Sequence, residues 1–190
     1  EDVVRALRIR MSEAATGAAE LGYAIPHGGT VIDDQTLFHY GIVADTYQLV
    51  THNDFVNIWH RSTDGAPVES MGLLYDGNTL FVSTVLPKVD VKGDEIDLYL
   101  FGHNPVNGRT AIRCRTTGIR VVCHNTVQMA LHGKTDYTFR TSHVGRENVL
   151  VKIEAWLTEI WAQRRQTAAL MKEAYTLLAE KPCSVKQLVQ

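Results

Sequence analysis

The sequence predicts an α+β fold, in which helices and β-strands occupy separate parts of the chain. Three observations predict this fold class. Apolar residues recur at helical spacing near both ends, four β-rich runs occupy the middle, and the connections between those runs are only a few residues long. Since a parallel sheet needs longer crossovers, we expect the four runs to form an antiparallel meander.

The N-terminal segment is predicted to be a helix over residues 2–21. Its apolar residues form a helical stripe, and Gly22 is placed to end it. Residues 41–43 and 47–50 are predicted to be two short strands around a turn. A second helix is expected over residues 51–59, with Thr51 or Asn53 as its N-terminal cap.

The middle of the chain carries the predicted meander over residues 68–75, 79–86, 95–102 and 109–117. Turn-forming sequences separate these runs, namely Asp76-Gly77-Asn78, Lys92-Gly93-Asp94 and Asn107-Gly108.

Two more helices are predicted after the meander. Residues 121–132 place Cys123, Val127 and Ala130 on one apolar face, so Cys123 is expected to be a packed, unreactive thiol. A long last helix is expected over residues 147–181, ended by Pro182, as a candidate packing or oligomerisation element. Without a linker or an internal repeat, we interpret residues 1–190 as one domain.

Composition restricts the function classes. The chain has 190 residues, 45% of them hydrophobic, and a formal net charge of −2, so a nucleic acid would have to bind a local basic patch. No apolar run approaches the roughly 20 residues of a membrane span. Three cysteines without a C-x-x-C pair favour a reducing compartment. Because the chain starts with Glu1 and not with Met, we expect a piece of a longer sequence.

The arginines of the fourth meander run are the sharpest local feature. Arg109, Arg113 and Arg115 are all odd-numbered, so a strand would place them on one face, and Arg120 follows at the corner before the next helix. Guanidinium groups suit bidentate contacts to phosphates, and a repeat of about 6 to 7 Å matches an extended single strand. The alternative is a solvated strand face paired with nearby acids such as Asp94, Glu95 and Asp97.

A second basic feature lies on the last predicted helix. Arg164 and Arg165 follow Trp161, and an indole beside a guanidinium is a platform for a base and its phosphate. The alternative is that Trp156 and Trp161 pack in the core or between subunits.

Other chemistry finds little support in the sequence. The eight histidines form no H-x-x-x-H or H-E-x-x-H pair, so no metal site is expected. Cys123-His124-Asn125 contains the residue types of a thiol enzyme, but catalytic side chains are assembled in space and not by adjacency. Neither a Walker loop nor a G-x-G-x-x-G sequence occurs, and we expect no cofactor.

The segment Arg120-Val121-Val122-Cys123-His124-Asn125-Thr126 resembles the R-V-V-C-x-N-T stretch of a phage- and plasmid-encoded family of unknown function. In that family this stretch leads into a helix. Residues 41–50 are similar to the family's G-x-V-x-x-x-Y-x-x-V segment. The resemblance implies a mobile-element protein of the bacterial cytoplasm, and it carries over no catalytic residue.

The element order also looks like the core of the phage single-strand annealing proteins of the Redβ and Erf kinds. This analogy implies homo-oligomeric rings or helical assemblies that hold single-stranded DNA in a basic groove. Arg109, Arg113, Arg115 and Arg120 would then bind phosphates, and Lys88, Lys92 or Arg140 would line the same groove.

The leading hypothesis is therefore a phage or prophage protein that binds and anneals single-stranded DNA without ATP, with a host or phage recombination protein as a further partner. The alternative is a module that binds a host factor, for example in counter-defence. An enzyme acting on nucleic acid or nucleotides is the third and least favoured hypothesis, because it needs a divalent metal or the Cys123 thiol.

Overall fold

The structure is a computed structural model that describes residues 9–13, 28–33, 39–44, 46–132, 137–145 and 148–181. The predicted α+β class is confirmed. In chain order the elements are β1 (Ile9–Glu13), β2 (Gly28–Asp33), β3 (His39–Ala44), α1 (His52–Ser62), β4 (Val68–Leu74), β5 (Thr79–Val91), β6 (Asp94–Pro105), β7 (Ile112–Thr117), α2 (His124–His132), β8 (Thr138–Thr141), α3 (Val149–Ala162) and α4 (Arg164–Glu180).

The predicted antiparallel meander is confirmed as β4 to β7, and β8 adds a fifth strand at the edge next to β7. Strand β8 has only four residues, too few for an alternating pattern to stand out in the sequence. Lys92 and Gly93 join β5 to β6 with φ values of 55° and 93°. Positive φ at both central residues is the geometry of a two-residue hairpin turn of type I′.

The predicted N-terminal helix over residues 2–21 is wrong where the structure describes it. Residues Ile9–Glu13 form β1, which pairs with β2 from Ile9 opposite Asp33 to Glu13 opposite Gly29. The physical reason is long-range pairing with β2, which overrides the apolar spacing of the segment. The remainder of that predicted helix lies outside the described residues.

The predicted hairpin of residues 41–43 and 47–50 is confirmed in part: residues 41–43 lie in β3 and a turn follows them, but residues 47–50 are not a strand that pairs with β3. Strand β3 pairs with β2, and Tyr47 instead makes an isolated bridge with Val144, far along the chain. The backbone N–H of Gln48 donates to the carbonyl of His143 at 2.6 Å. Each half of the predicted hairpin therefore takes its partner from elsewhere, which a local pattern does not encode.

Helix α1 begins with the predicted cap at Thr51. The Thr51 hydroxyl accepts from the backbone N–H of Asp54 at 3.0 Å, and the Asp54 carboxylate accepts in return from the backbone N–H of Thr51 at 3.3 Å. Phe55 and Trp59 are buried on the face turned to the sheet. The Trp59 indole N–H donates to the hydroxyl of Thr84 on β5 at 2.9 Å, which fixes the helix against the sheet.

The single long helix predicted over residues 147–181 is wrong, because it is divided at Gln163 into α3 and α4. No Gly or Pro marks this position. Helix α3 packs against α1, whereas α4 lies along β5 and buries Ala168 there. Two different packing surfaces therefore require two helix directions. Arg164 donates to the carbonyl of Trp161 at 2.7 Å and so satisfies an end of α3.

The five-stranded sheet is covered on both faces. On one face, side chains from β5, β6 and β7 form the main core with α1, α3 and α4. On the other face, α2 packs Val127 and Ala130 over Phe81 and Phe101. Strand β7 is consequently buried on both sides. This burial determines how exposed the predicted row of arginines on β7 is.

Candidate nucleic-acid interface

Two of the predicted arginines share a face of β7, but that face is not a solvated one. Arg113 lies opposite His103 on β6, and Arg115 lies opposite Phe101. Phe101 belongs to the cluster under α2. The prediction of three exposed arginines in a row along the strand is therefore wrong. Tertiary packing covers the strand face that the alternation in the sequence indicates to be polar.

Arg109 precedes β7 and lies in a turn. The side-chain oxygen of Asn107 accepts the backbone N–H groups of Arg109 and Thr110 at 2.9 and 3.0 Å. This Asx-type turn starts the approach to β7 and leaves the Arg109 side chain exposed, outside the strand register.

Arg115 is buried, with 4% of its surface exposed. Its guanidinium donates to the carbonyl of Leu131 at 3.0 Å, one of the last carbonyls of α2. Burial, and secondly the charge of Arg113, lower the pKa of Arg115. A cation at a helix C-terminus donates to the free carbonyls of the last turn and interacts favourably with the helix dipole. Arg115 therefore stabilises α2 and is not available to bind a phosphate.

Three further predicted phosphate ligands are engaged in ion pairs. Arg120 contacts Glu69 at 2.7 Å, Lys88 contacts Asp97 at 3.3 Å and Glu95 at 3.5 Å, and Lys92 contacts Glu180 at 3.5 Å. The acids expected to neutralise the arginine row thus include two that pair with Lys88. These pairs are exposed and contribute little stability, but they reduce the positive potential around each cation.

The predicted base platform on the last helix is occupied by intramolecular contacts. The Arg164 guanidinium stacks 4.7 Å from the centre of the Trp161 ring. Trp161 is buried, and its indole N–H donates to the carboxylate of Asp64 at 2.9 Å. This placement matches the packing interpretation for Trp161, and only Arg165 remains exposed.

The arrangement that remains is a pair of arginines on neighbouring strands. Arg113 on β7 lies directly opposite Arg140 on the edge strand β8. Arg140 is exposed and Arg113 partly so, and within the described residues neither makes an ion pair. The Arg113 Nε atom is buried without a hydrogen-bond partner there. Like charges directly opposite each other destabilise a sheet, so a bound anion would relieve this site.

Each arginine of this pair was predicted from the sequence as a phosphate ligand, but their position opposite each other was not. Arg140 lies on the unpredicted strand β8, and its register opposite Arg113 depends on the pairing of β7 with β8. His103 was not predicted as a site residue because its sequence neighbours carry no motif. Only the strand register places it next to Arg113.

The prediction of a packed thiol at Cys123 is wrong. Cys123 is exposed at the start of α2, whereas Cys114 is buried in the core. The Thr126 hydroxyl accepts from the backbone N–H groups of Val122 and Cys123 at 2.9 and 3.0 Å and donates to the carbonyl of Cys123 at 2.9 Å. These bonds shape the turn before α2 and direct the Cys123 side chain away from the apolar face that begins at Val127.

Thiol labelling tests this placement. Hydrogen bonding, first from the backbone of Thr126, lowers the pKa of Cys123, while burial raises the pKa of Cys114. In a Cys183→Ser background we expect one thiol to react rapidly with a disulfide reagent and the other to react only on unfolding. Adding Cys123→Ser should abolish the rapid phase. A rapid phase that survives in the double variant would contradict the assignment.

Among the described residues no group of three His, Cys, Asp or Glu side chains is placed to hold a metal ion. Within the same part of the chain, no helix has the length and apolarity needed to cross a membrane.

Comparison with known proteins gives one match. The family model described as a domain of unknown function (DUF932) matches residues 39–188. The chain belongs to this family. The family segment runs from β3 past the end of α4 and contains the Arg113–Arg140 pair, while β1 and β2 precede it. No curated protein matches the chain. No solved structure matches it either.

Proposed function

We propose that the protein binds single-stranded DNA on the face formed by β7 and β8 and anneals complementary strands without ATP or a cofactor. The observation that carries the proposal is the Arg113–Arg140 pair, two cations on facing positions of adjacent strands without an acidic partner among the described residues. A phosphodiester placed between two guanidinium groups accepts charge-assisted hydrogen bonds from both. Arg140 is exposed on the edge strand β8 and Arg113 is partly exposed beside it, so a phosphate can reach this pair from solvent.

The remaining exposed cations extend the same proposal. Arg109 and Arg165 are exposed and make no ion pair within the described residues, so they are the next candidates for phosphate contacts. The acidic net charge of −2 limits non-specific affinity. An annealing protein benefits from this, because it must release the duplex that it forms.

The test is fluorescence anisotropy with a labelled oligonucleotide of about 40 nucleotides at low and moderate salt. We expect Arg113→Gln with Arg140→Gln to weaken binding about tenfold or more for each arginine, because a hydrogen bond to a charged group contributes roughly 1.5–3 kcal/mol. The slope of log affinity against log salt should decrease by about 0.7 for each lost phosphate contact.

Arg120→Gln is the matched control. It removes one positive charge, as Arg113→Gln or Arg140→Gln does alone, but Arg120 is held at 2.7 Å by Glu69 on the opposite edge strand β4, so affinity should be nearly unchanged. Arg115 is unsuitable for this test because its replacement would remove the hydrogen bond to the Leu131 carbonyl at the end of α2. Equal losses in the control and the double variant would mean that net charge, and not this site, determines binding.

Annealing and assembly are measured on the same samples. The wild-type protein should accelerate the pairing of two complementary labelled strands, and light scattering should detect homo-oligomers that grow with DNA. We further propose that the protein acts in the cytoplasm of a bacterial host as part of a mobile element, alongside a host or phage recombination protein. Salt-insensitive binding, or no acceleration of pairing, would overturn the annealing function.

A second candidate function is binding of a host protein, favoured by an apolar groove. A cavity of about 520 Å³ lies between α4 and the segment after β7 and is lined by residues that include Ile119, Leu170, Met171, Tyr175, Leu177 and Leu178. Leu177 and Leu178 are 62% and 64% exposed. Exposed apolar surface of this kind marks interaction sites. If DNA binding is absent, Leu177→Glu should abolish capture of a host partner that the wild type retains.

A further inference from the structure

His103 lies beside the arginine pair on the same face of the sheet. The register places Phe81, His103, Arg113 and Arg140 in one line across β5, β6, β7 and β8. Only 5% of the His103 surface is exposed, and its Nδ1 atom is buried without a hydrogen-bond partner among the described residues. A buried polar nitrogen next to an unpaired guanidinium is costly in the absence of a ligand.

The charges around His103 are cationic. Arg113 faces it from β7, with Arg140 one strand further, and Arg115 lies two residues beyond Arg113 on the same face of β7. From β5 the neighbour is the uncharged Phe81, and α2 contributes apolar side chains to this face. The titratable residues of α2, His124 and His132, are exposed. No described carboxylate is recorded in an ion pair with His103.

We infer that His103 is the third group of the phosphate site and takes up a proton when a phosphodiester binds between Arg113 and Arg140. The inference rests on the proposed function and deepens it, because it makes DNA binding depend on pH. Protonation supplies a further N–H donor and a positive charge for the bound anion. One proton moves from solvent to the imidazole for each site filled.

The direction of the effect follows from the charges. In the free protein, burial and then the charge of Arg113 lower the pKa of His103 to about 4, so the imidazole is neutral. A phosphate anion beside it offsets the charge of Arg113 and favours the charged imidazolium, so it raises the pKa of His103 in the complex. Binding then favours the protonated form, so affinity increases as the pH falls from the pKa of the complex toward that of the free protein.

The experiment measures Kd for the same oligonucleotide between about pH 7 and pH 5 at constant salt. The phosphodiester does not titrate in this range, so any proton taken up belongs to the protein. We expect Kd to fall by about tenfold over this interval, and the limit for one proton is tenfold for each pH unit. His103→Gln should bind at pH 7 with a weak pH dependence, and His132→Gln, at an exposed position, should keep the wild-type dependence.

A second measurement needs no variant and therefore does not depend on how His103→Gln folds. Calorimetric titrations at about pH 5.5 in two buffers of different ionisation enthalpy report the protons taken up, and we expect a value near one per site for wild type. An oligonucleotide with neutral methylphosphonate linkages should neither bind nor take up protons. Circular dichroism at each pH confirms that the protein is folded.

The outcomes separate the two proposals. Salt-dependent binding with no proton uptake and a flat pH profile would overturn the role of His103 and leave DNA binding standing. Undiminished pH dependence in His103→Gln would do the same, since another group would then be titrating. Absence of binding at every pH would overturn the proposed function itself.

Discussion

Replacing Gly102 with valine is expected to lower the free energy of unfolding by about 3 kcal/mol or more. Gly102 is in the centre of β6, beneath α1. A Cβ atom at this position would lie 2.5 Å from Cζ3 of Trp59 and 3.0 Å from two ring carbons of Phe55. Both rings are fully buried, so neither has space to move aside.

Gly102→Ala and Gly93→Ala divide this effect into its causes. Gly102→Ala adds one methyl group and should cost about 1–3 kcal/mol through overpacking. Gly93 is in the open β5–β6 turn at a φ of 93°, and a Cβ added there would have nothing within 4 Å, so Gly93→Ala carries backbone strain alone, roughly 1–2 kcal/mol. Denaturant titration measures all three. Gly102→Val with the stability of the wild type would contradict the packing of α1 on β6.

Lowering the pH from 7 to 4 is expected to destabilise the protein by roughly 3 kcal/mol for each of two buried histidines. Burial lowers the pKa of His52 to about 4 although its hydrogen bond to the Gly77 carbonyl acts in the opposite direction, and His103 is lowered to about 4 as well. Burial also lowers the pKa of His143. Each of these histidines is therefore neutral in the folded protein.

The pH window follows from these pKa values. An unfolded histidine has a pKa of 6.5, so both states are neutral well above it and the full stabilisation is present there. Between pH 6.5 and about 4 the unfolded chain binds protons that the folded protein does not. Stability is lost over this range with a slope that approaches 1.4 kcal/mol per pH unit for each histidine, and it falls no further from this cause below about pH 4.

His52 is the better test of this mechanism because its hydrogen bonds are complete. Its Nε2–H donates to the carbonyl of Gly77 at 2.8 Å, and its Nδ1 accepts from the side-chain amide of Asn104 at 3.2 Å. A proton on Nδ1 would remove that acceptor. His52→Gln should flatten the pH dependence of the free energy of unfolding by about one proton, while the exposed His60→Gln should leave it unchanged. An unaltered slope in His52→Gln would contradict the assignment.

The R-V-V-C-x-N-T stretch has a structural explanation for part of its pattern. Val121 is fully buried under the sheet, and the Thr126 hydroxyl makes three bonds to the backbone of residues 122 and 123. Arg120 is held by Glu69. These contacts account for the Arg, the first Val and the Thr as residues that join β7 to α2, and they need no catalytic role for the stretch.

The elements that could be predicted from the sequence are those with a local cause. β-rich runs separated by Gly-containing turns predicted the four strands from β4 to β7, and a cap at Thr51 or Asn53 predicted the start of α1. In these places short-range hydrogen bonds and side-chain alternation act within a few residues, so the sequence contains all the information that is needed.

The faces and partners that these elements use depend on long-range packing and strand pairing. Strand β1 replaced a predicted helix because β2 pairs with it, and the last helix was divided at Gln163 because its halves pack on different surfaces. Arg115, which was predicted to bind phosphate, instead donates to a carbonyl of α2. Strand register places Arg140 and His103 beside Arg113. Pairing and burial depend on residues far apart in the chain, and a spacing pattern within one segment does not contain them.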